Sequence, residues 1–417
     1  MTVQAPPESE GAFAGAFRSI ASAAFGGILA VIALLAFGQI LGVALSLAVR
    51  SIDPETASRV GLVTSLAAFR ADVVITFPPS VGFGVPLPLP SGQLASHLVP
   101  MGLTLGFLWI AARAGRRAAR TWPEAPALVL AAVAAAGAGV SVAFVAALAA
   151  RWATLSFPGS DVTVGVSAAS AAAWGGLLAA GASALGAYLE GAAGRASAAV
   201  IRGGIAGYLW ALGLLVVGVL AIATLEPDVT RRYVDGLAAF GAVGSALFGA
   251  HVLALPAQSA LLLVPASGSC VVLLTSGTTA LQVCPWSLDP AGPLADAFLP
   301  PDPVPLSPWF WALLAIPPLA AFLGGSLAGA GVPPARGAAR GALAGIVFAV
   351  LGMLGAAFAA PRVAVPFIAG WLRLEMRPWS LRAAGLLCLG GVLGGAIGGR
   401  LARRVYEEPE LPRPTSA

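Results

Sequence analysis

Long runs of uncharged, apolar residues limit what this chain can fold into more than any other feature. From Ile20 to Val49, thirty residues pass without a charged side chain, and similar stretches recur as far as Gly399. About 20 apolar residues of helix cross a hydrocarbon core of about 30 Å, because each residue rises about 1.5 Å. Hydrophobic residues make up 58% of the chain and charged residues only 10%, against about a quarter charged in soluble domains. The sequence therefore predicts an all-α, polytopic transmembrane helix bundle in contact with a lipid bilayer.

Eight clear spans are predicted, together with an interrupted or re-entrant helix pair. The eight spans are 20–49, 94–112, 125–150, 164–189, 203–225, 308–330, 341–360 and 383–399. The membrane domain then covers 19–404, between cytoplasmic tails at 1–18 and 405–417.

Arginine positions predict how these spans are oriented, because short loops rich in Arg stay in the cytoplasm. The arginines of the predicted inner segments are Arg113, Arg116, Arg117, Arg120, Arg195, Arg202, Arg336, Arg340, Arg400, Arg403 and Arg404. The prediction is a protein of the cytoplasmic (inner) membrane with both termini inside and outer segments at about 51–93 and 277–307. The segment 363–381 must also be outside although it holds Arg373 and Arg377, and we expect it to lie along the interface.

Residues 236–285 are constrained by the same topology, since the chain must enter and leave this apolar region on one side. Pro256 and Pro265 interrupt it. Either two helices cross with a tight inner turn, or two half-helices dip into the membrane and return. Interrupted hydrophobic segments are a sequence signal for a site in a membrane protein.

Few side chains in the predicted spans can carry chemistry. His97 precedes Pro100, and His251 precedes Pro256; each histidine either titrates or binds a metal, or hydrogen-bonds a backbone carbonyl freed by the nearby proline. Arg70 lies in an apolar outer hairpin, where it either reaches the head groups or is buried against a partner. The candidate functional region consists of His251, Pro256, Pro265, His97, Pro100 and Arg70.

The sequence contains no pattern typical of an enzyme. No Asp or Glu lies well inside a predicted span, and the chain has no metal-ligand spacing, Walker loop, GxSxG or HExxH pattern. We expect no catalytic residue, no cofactor and no metal. The arginines lie beside apolar spans and not among exposed aromatic residues, so we expect no nucleic acid either.

Two further groups of residues have predicted structural roles. Cys270 and Cys284 flank a segment near the outer face, where they either form a disulfide or remain two thiols. In the last span, one row of small residues consists of Gly390, Gly394 and Gly398. This row predicts close helix packing, against the segment containing Gly325 and Gly329 or against another subunit.

Four stretches resemble a family of actinobacterial multi-pass membrane proteins, the one that includes the mycobacterial cell-division protein PerM. They read SLAAFRADV at 65–73, HLVPMGLTLGFLWIAARAGRRAAR at 97–120, LALPAQSALLLVPASGSCV at 253–271 and PWFWALLAIPPLAAFLGG at 308–325. In that family a Pro-Leu-Gly-Leu-Thr run opens a helix, and Pro100–Thr104 here reads Pro-Met-Gly-Leu-Thr. The family's Leu-Pro-Asn is Leu-Pro-Ala here. The resemblance implies a role in cell division or envelope maintenance through protein partners.

Two functions follow from these features. The first is a non-enzymatic scaffold or accessory factor that contacts division or envelope proteins in the membrane. The alternative is a transporter or lipid-handling permease with its site at the interrupted helices 236–284.

Overall fold

The computed structural model describes most of the chain. The described residues are 8–48, 53–77, 92–97, 99–156, 163–238, 242–275, 278–284, 287–290, 304–305, 308–367, 370–378 and 380–406.

The first half of the chain contains five helices and two β-hairpins. In chain order they are α1 (Glu8–Ala48), α2 (Pro54–Ala67), β1 (Val73–Phe77), β2 (Gly92–His97), α3 (Met101–Arg120), α4 (Ala127–Trp152), β3 (Leu155–Ser156), β4 (Thr163–Val166) and α5 (Ala168–Gly191).

The second half is larger but similar in order. Its elements are α6 (Ala196–Leu225), α7 (Pro227–Ala238), α8 (Ala242–Ala266), β5 (Val271–Thr275), β6 (Thr278–Val283), β7 (Ser287–Pro290), β8 (Val304–Pro305), a 3₁₀ helix (Pro308–Ala315), α9 (Ile316–Gly329), α10 (Pro334–Ala359), β9 (Arg362–Phe367), β10 (Gly370–Pro378) and α11 (Ser380–Tyr406).

All the strands join into one open, antiparallel sheet of ten strands. Their order is β3-β4-β1-β2-β9-β10-β5-β6-β7-β8. The strands come from four separate connections between helices, so these connections meet at one end of the bundle, which we call the sheet end. The turns 121–126, 192–195 and 330–333 join helices at the opposite end, which we call the arginine end.

The sheet order shows that the chain consists of two structural repeats. In the first repeat β1 pairs with both β2 and β4, and β3 pairs with β4. In the second repeat β5 pairs with both β6 and β10, and β9 pairs with β10. The two patterns are the same, and the pairing of β2 with β9 joins the repeats. Helices α1, α3, α4 and α5 therefore correspond to α6, α9, α10 and α11.

Close contacts between helices extend this correspondence to single residues. Gly186 on α5 lies against the backbone carbonyl of Ala112 on α3. In the second repeat, Gly398 on α11 lies in the same way against the carbonyl of Phe322 on α9.

A second pair of contacts is related by the same offsets in residue number between the matched helices. Gly115 contacts the backbone of Ser183, and Gly325 contacts the backbone of Gly395. The adjacent glycines of α1, Gly26 and Gly27, have their match in Gly203 and Gly204 on α6. These contacts hold the helices of each repeat close together, as small residues do in membrane bundles.

Among the described residues, seven helical segments are long and apolar enough to cross a membrane, which confirms the predicted all-α polytopic bundle. They cover Gly11–Ala44, Ala127–Trp152, Ala168–Gly191, Ala196–Leu225, Pro308–Gly329, Pro334–Ala359 and Leu381–Ala402.

The predicted span 94–112 needs correction. Residues 92–97 form strand β2, and α3 begins only at Met101 and continues to Arg120. Pro100 occupies the position before the helix, where a residue without an N–H group is tolerated. The helix therefore begins later than predicted and includes the arginines from Arg113 to Arg120, which we expected in an inner loop.

The region 236–276 contains the end of α7 and the whole of α8, and the two prolines expected to interrupt it lie inside α8. Helix α7 ends at Ala238, and α8 runs from Ala242 to Ala266 with Pro256 and Pro265 inside it. In an apolar environment a helix satisfies almost all of its own backbone groups, so continuing past a proline costs less than opening the chain. The pair starts after α6 and ends before β5, so both its ends lie at the sheet end.

Most of the segment 363–381 forms the strand pair β9–β10 of the sheet, and its position along the membrane interface stays a prediction. The described cores follow the two repeats. One apolar cluster joins residues of the first repeat, among them Phe69 and Phe107, and another joins residues of the second repeat, among them Phe348 and Leu387, together with the start of α3.

Candidate functional site at the junction of the repeats

Arg70 occupies a backbone conformation that residues other than glycine rarely adopt. It follows α2 with φ of 62°, and its N–H donates to the carbonyl of Ala67 at 2.8 Å. The matching residue after α8 is Gly268, with φ of 84° and its N–H 2.8 Å from the carbonyl of Pro265. A left-handed conformation costs about 1–2 kcal/mol for a residue with a side chain. The first repeat bears this cost and places an arginine where the second has glycine.

The side chain of Arg70 bridges the two repeats. Its guanidinium carbon lies 5.2 Å from the ring centroid of Trp174 and 5.7 Å from that of Phe358. The two rings meet edge to face with centroids 6.3 Å apart. Trp174 belongs to α5 of the first repeat and Phe358 to α10 of the second. The cation therefore contacts an aromatic ring from each side, an attraction worth about 0.5–2 kcal/mol per ring.

The chain around Arg70 is fixed by buried contacts. Thr104 on α3 donates its hydroxyl to the carbonyl of Ala68 at 2.6 Å. Phe69 packs edge to face on Phe107, with centroids 4.9 Å apart. These contacts anchor the two residues that precede Arg70, and on its other side the N–H of Asp72 donates to the Ser170 hydroxyl at 3.1 Å.

Residues His97 and Pro100, predicted as candidates, lie at the same junction. His97 is the last residue of β2 and stands opposite Arg362 of β9, in the strand pair that joins the repeats; its side chain lies outside the described residues. Pro100 precedes α3, and the flanking Val99 and Met101 are buried in the core of the second repeat. The start of α3 thus belongs structurally to both repeats.

Helix α8 carries the other candidates and also faces the junction. Pro256 and Pro265 both lie inside this helix, whereas the side chain of His251 lies outside the described residues. Ala257, Ala260 and Leu263 are buried in the core of the second repeat. The described part of α8 is therefore a packed helix.

Cys270 and Cys284 form a disulfide, with an S–S distance of 2.09 Å. The two residues flank β5 and β6, next to the paired residues Val271 and Val283. Both cysteines are buried, and the amide of Gln282 lies 3.1 Å from the sulfur of Cys284. The bridge closes the hairpin at its base, where α8 enters the sheet.

The glycine row of α11 packs within the chain. Gly394 and Gly398 lie against the backbone of α9, at Pro318 and Phe322, whereas a methyl group added at Gly390 would meet nothing within 4 Å. The adjacent row of glycines on α11 packs even more closely against the neighbouring helices. Its contacts are Gly391 with Gly345, Gly395 with Gly341 and Gly399 with Gly337 of α10, and Gly395 and Gly399 also meet Gly325 and Gly329 of α9.

Sequence reasoning found Arg70 but missed its two aromatic partners. Trp174 and Phe358 lie inside predicted spans, where an aromatic residue is ordinary. Their distance along the chain gives no signal of contact. The one available signal is the polar side chain itself, since an arginine in an apolar region requires a partner.

Several hydroxyl groups in the helices donate to backbone carbonyls, as Ser183 does to Ala111 at 3.0 Å and Ser65 to Leu34 at 3.1 Å. Among the described residues, no group of three His, Cys, Asp or Glu side chains is placed to hold a metal ion. The contacts at this junction can hold the two repeats together.

Comparisons with known proteins add no relative. The chain matches no protein-family model, and neither a curated protein nor a solved structure is significantly similar to it.

Proposed function

We propose that this integral membrane protein is a non-enzymatic scaffold or accessory factor in cell division or cell-envelope maintenance, acting through membrane protein partners. The observation that carries the proposal is the single sheet built from four separate connections. It gives two membrane-embedded repeats one shared surface outside the helices. Such a surface can present one fixed face to protein partners.

The sheet favours binding through its face and loops. Its two outermost strands, β3 and β8, have only two residues each. Short edge strands protect a sheet against the addition of further strands. In the proposed topology the sheet end is outside and the arginine end is in the cytoplasm, following the positive-inside rule, and the membrane is the cytoplasmic one.

The transporter alternative gains no support from the described part of α8. That alternative depended on irregular backbone around Pro256 at membrane depth. Instead, α8 is a continuous helix, and Ala257, Ala260 and Leu263 on it are buried.

Site-specific crosslinking in native membranes tests the proposal. A photoreactive residue replaces Thr154, which is exposed at the sheet end, and a control replaces Glu124, exposed at the arginine end. We expect the probe at 154 to capture division or envelope proteins that the probe at 124 does not, and depletion of the protein to change cell length. Absence of a specific crosslink at 154 together with normal cell length would contradict the proposal.

A further inference from the structure

Helix α3 carries a row of arginines on its outward face. Residues three, four and seven positions apart share one face of a helix. Together with Trp109 and Ala112, this row lines a cavity of about 510 Å³, and its members are Arg113, Arg116, Arg117 and Arg120. All four arginines and Trp109 are exposed.

Only one of these arginines has an acidic partner among the described residues. Arg120 donates from Nε to the Glu190 carboxylate at 2.8 Å. Within the described part of the chain, no acidic side chain forms an ion pair with Arg113, Arg116 or Arg117. The guanidinium carbon of Arg113 lies 5.4 Å from the ring centroid of Trp109. Three positive charges therefore face outward together.

The second repeat shows that the fold does not need this charge. The correspondence of α3 with α9 matches Arg113, Arg116 and Arg117 to Leu323, Ser326 and Leu327, and Trp109 to Leu319.

The matching face of α9 is apolar and open. Leu319 and Leu327 are 47% and 53% exposed, within the membrane-crossing segment Pro308–Gly329. In the second repeat this face is therefore an exposed apolar surface suited to contact with lipid. The same face of α3 is exposed in the same way, but it carries arginines in its last two turns.

The row occupies the last two turns of α3 at the arginine end, which the proposed topology assigns to the cytoplasmic surface of the membrane. Arg113 precedes Arg120 by two turns, which is about 10 Å along the axis. An arginine near a helix end extends its apolar stem along the helix and keeps its guanidinium at the interface. A guanidinium binds phosphate through two parallel hydrogen bonds.

From this arrangement we infer that the face formed by Trp109, Arg113, Arg116 and Arg117 binds the phosphate of an anionic phospholipid in the leaflet at the arginine end. The three guanidinium groups supply the charge and the hydrogen-bond donors. Trp109, one turn further from the arginine end, packs beside the part of the lipid next to its phosphate. The inference is independent of the proposed function.

Native mass spectrometry of the purified full chain tests the site. The protein is released from mixed phosphatidylcholine and phosphatidylglycerol vesicles, and the lipids retained are counted. We expect the wild type to retain phosphatidylglycerol in preference to phosphatidylcholine. The triple variant R113Q/R116Q/R117Q should bind it about 100-fold more weakly, since each arginine near a membrane surface contributes about fivefold to the attraction.

A matched control removes the same charge from the same end of the bundle. It is the triple variant R336Q/R340Q/R400Q, and it should retain the wild-type preference. Equal losses in both variants would overturn the inference, as would release of the lipid by millimolar inorganic phosphate, which would indicate a site for free anions. If the glutamine variant does not fold, R113K/R116K/R117K retains the charge and should bind about tenfold more weakly; unchanged binding by this lysine variant would also overturn it.

Discussion

Arg70 shows how one residue can serve the fold at a local cost. Its left-handed backbone is unfavourable for any residue with a side chain, and its cation lies beside both Trp174 and Phe358. The sequence predicted that this arginine is buried against a partner or reaches the head groups. The structure places aromatic partners beside it, one from each repeat. No sequence pattern shows a positive φ at an arginine, because that conformation is imposed by tertiary contacts.

Two substitutions of Arg70 separate the free-energy cost of its left-handed backbone from the stabilisation by its cation. Arg70→Ala keeps the unfavourable conformation and loses the cation, so we expect it to lower the free energy of unfolding by about 1–2 kcal/mol. Arg70→Gly loses the same cation but removes the strain, so it should be more stable than the alanine variant by about 1 kcal/mol. Thermal unfolding in detergent, followed by tryptophan fluorescence, measures the order. An alanine variant as stable as the glycine variant would contradict the assigned conformation.

At the scale of elements, the helices were predictable and the sheet was not. Long uncharged runs identify helices in lipid whatever their exact sequence. The strands, for example Val73–Phe77 and Val271–Thr275, are also apolar, so hydropathy does not distinguish them from the helices beside them. Their β-branched residues were the available signal. The repeats were missed because matched helices share small residues at contacts and differ elsewhere.

Two glycines of α11 differ in how closely they pack, and alanine substitutions at the two positions test this difference. Gly395→Ala places a methyl group against the backbone of Gly341, and we expect a loss of about 1–3 kcal/mol from overpacking. Gly390→Ala on the same helix meets nothing within 4 Å, and it should be neutral or stabilising by up to about 1 kcal/mol. The melting temperatures of the two variants in detergent check the contrast. Equal effects would contradict the packing of α11 on α10.

The repeat relation extends this prediction to a second helix pair. Gly186→Ala in the first repeat and Gly398→Ala in the second meet equivalent carbonyls, those of Ala112 and Phe322. Both variants should be destabilised by a similar amount, whereas Gly181→Ala, which has open space, should not. A tolerated substitution at either matched position would contradict the equivalence of the two helix pairs.

The β5–β6 hairpin gives a prediction from thiol counting. Of the three cysteines, Cys270 and Cys284 are bonded and Cys388 is free. In denaturing detergent, maleimide–polyethylene glycol should add one unit without reductant and three units after reduction, read as gel shifts. Three units without reductant would show that the bridge is absent.

At the scale of the whole molecule, the bundle has two ends of different structure. Four connections converge in one sheet, and the arginine-bearing helix ends lie at the opposite end of the bundle. The sequence predicted this division from arginine positions alone, because charge in short loops determines topology. It did not predict that the chain makes the same arrangement twice, since the correspondence lies in contacts and strand pairing.

Cysteine labelling in intact cells tests this division most directly. Single cysteines are introduced in a Cys388→Ser background at Asp53 or Thr154, both exposed at the sheet end, and at Glu124 or Gly194, both exposed at the arginine end. We expect a membrane-impermeant maleimide to label positions 53 and 154 in intact cells, and to label 124 and 194 only after the membrane is opened. Labelling of 124 or 194 from outside, or equal labelling of all four positions, would contradict it.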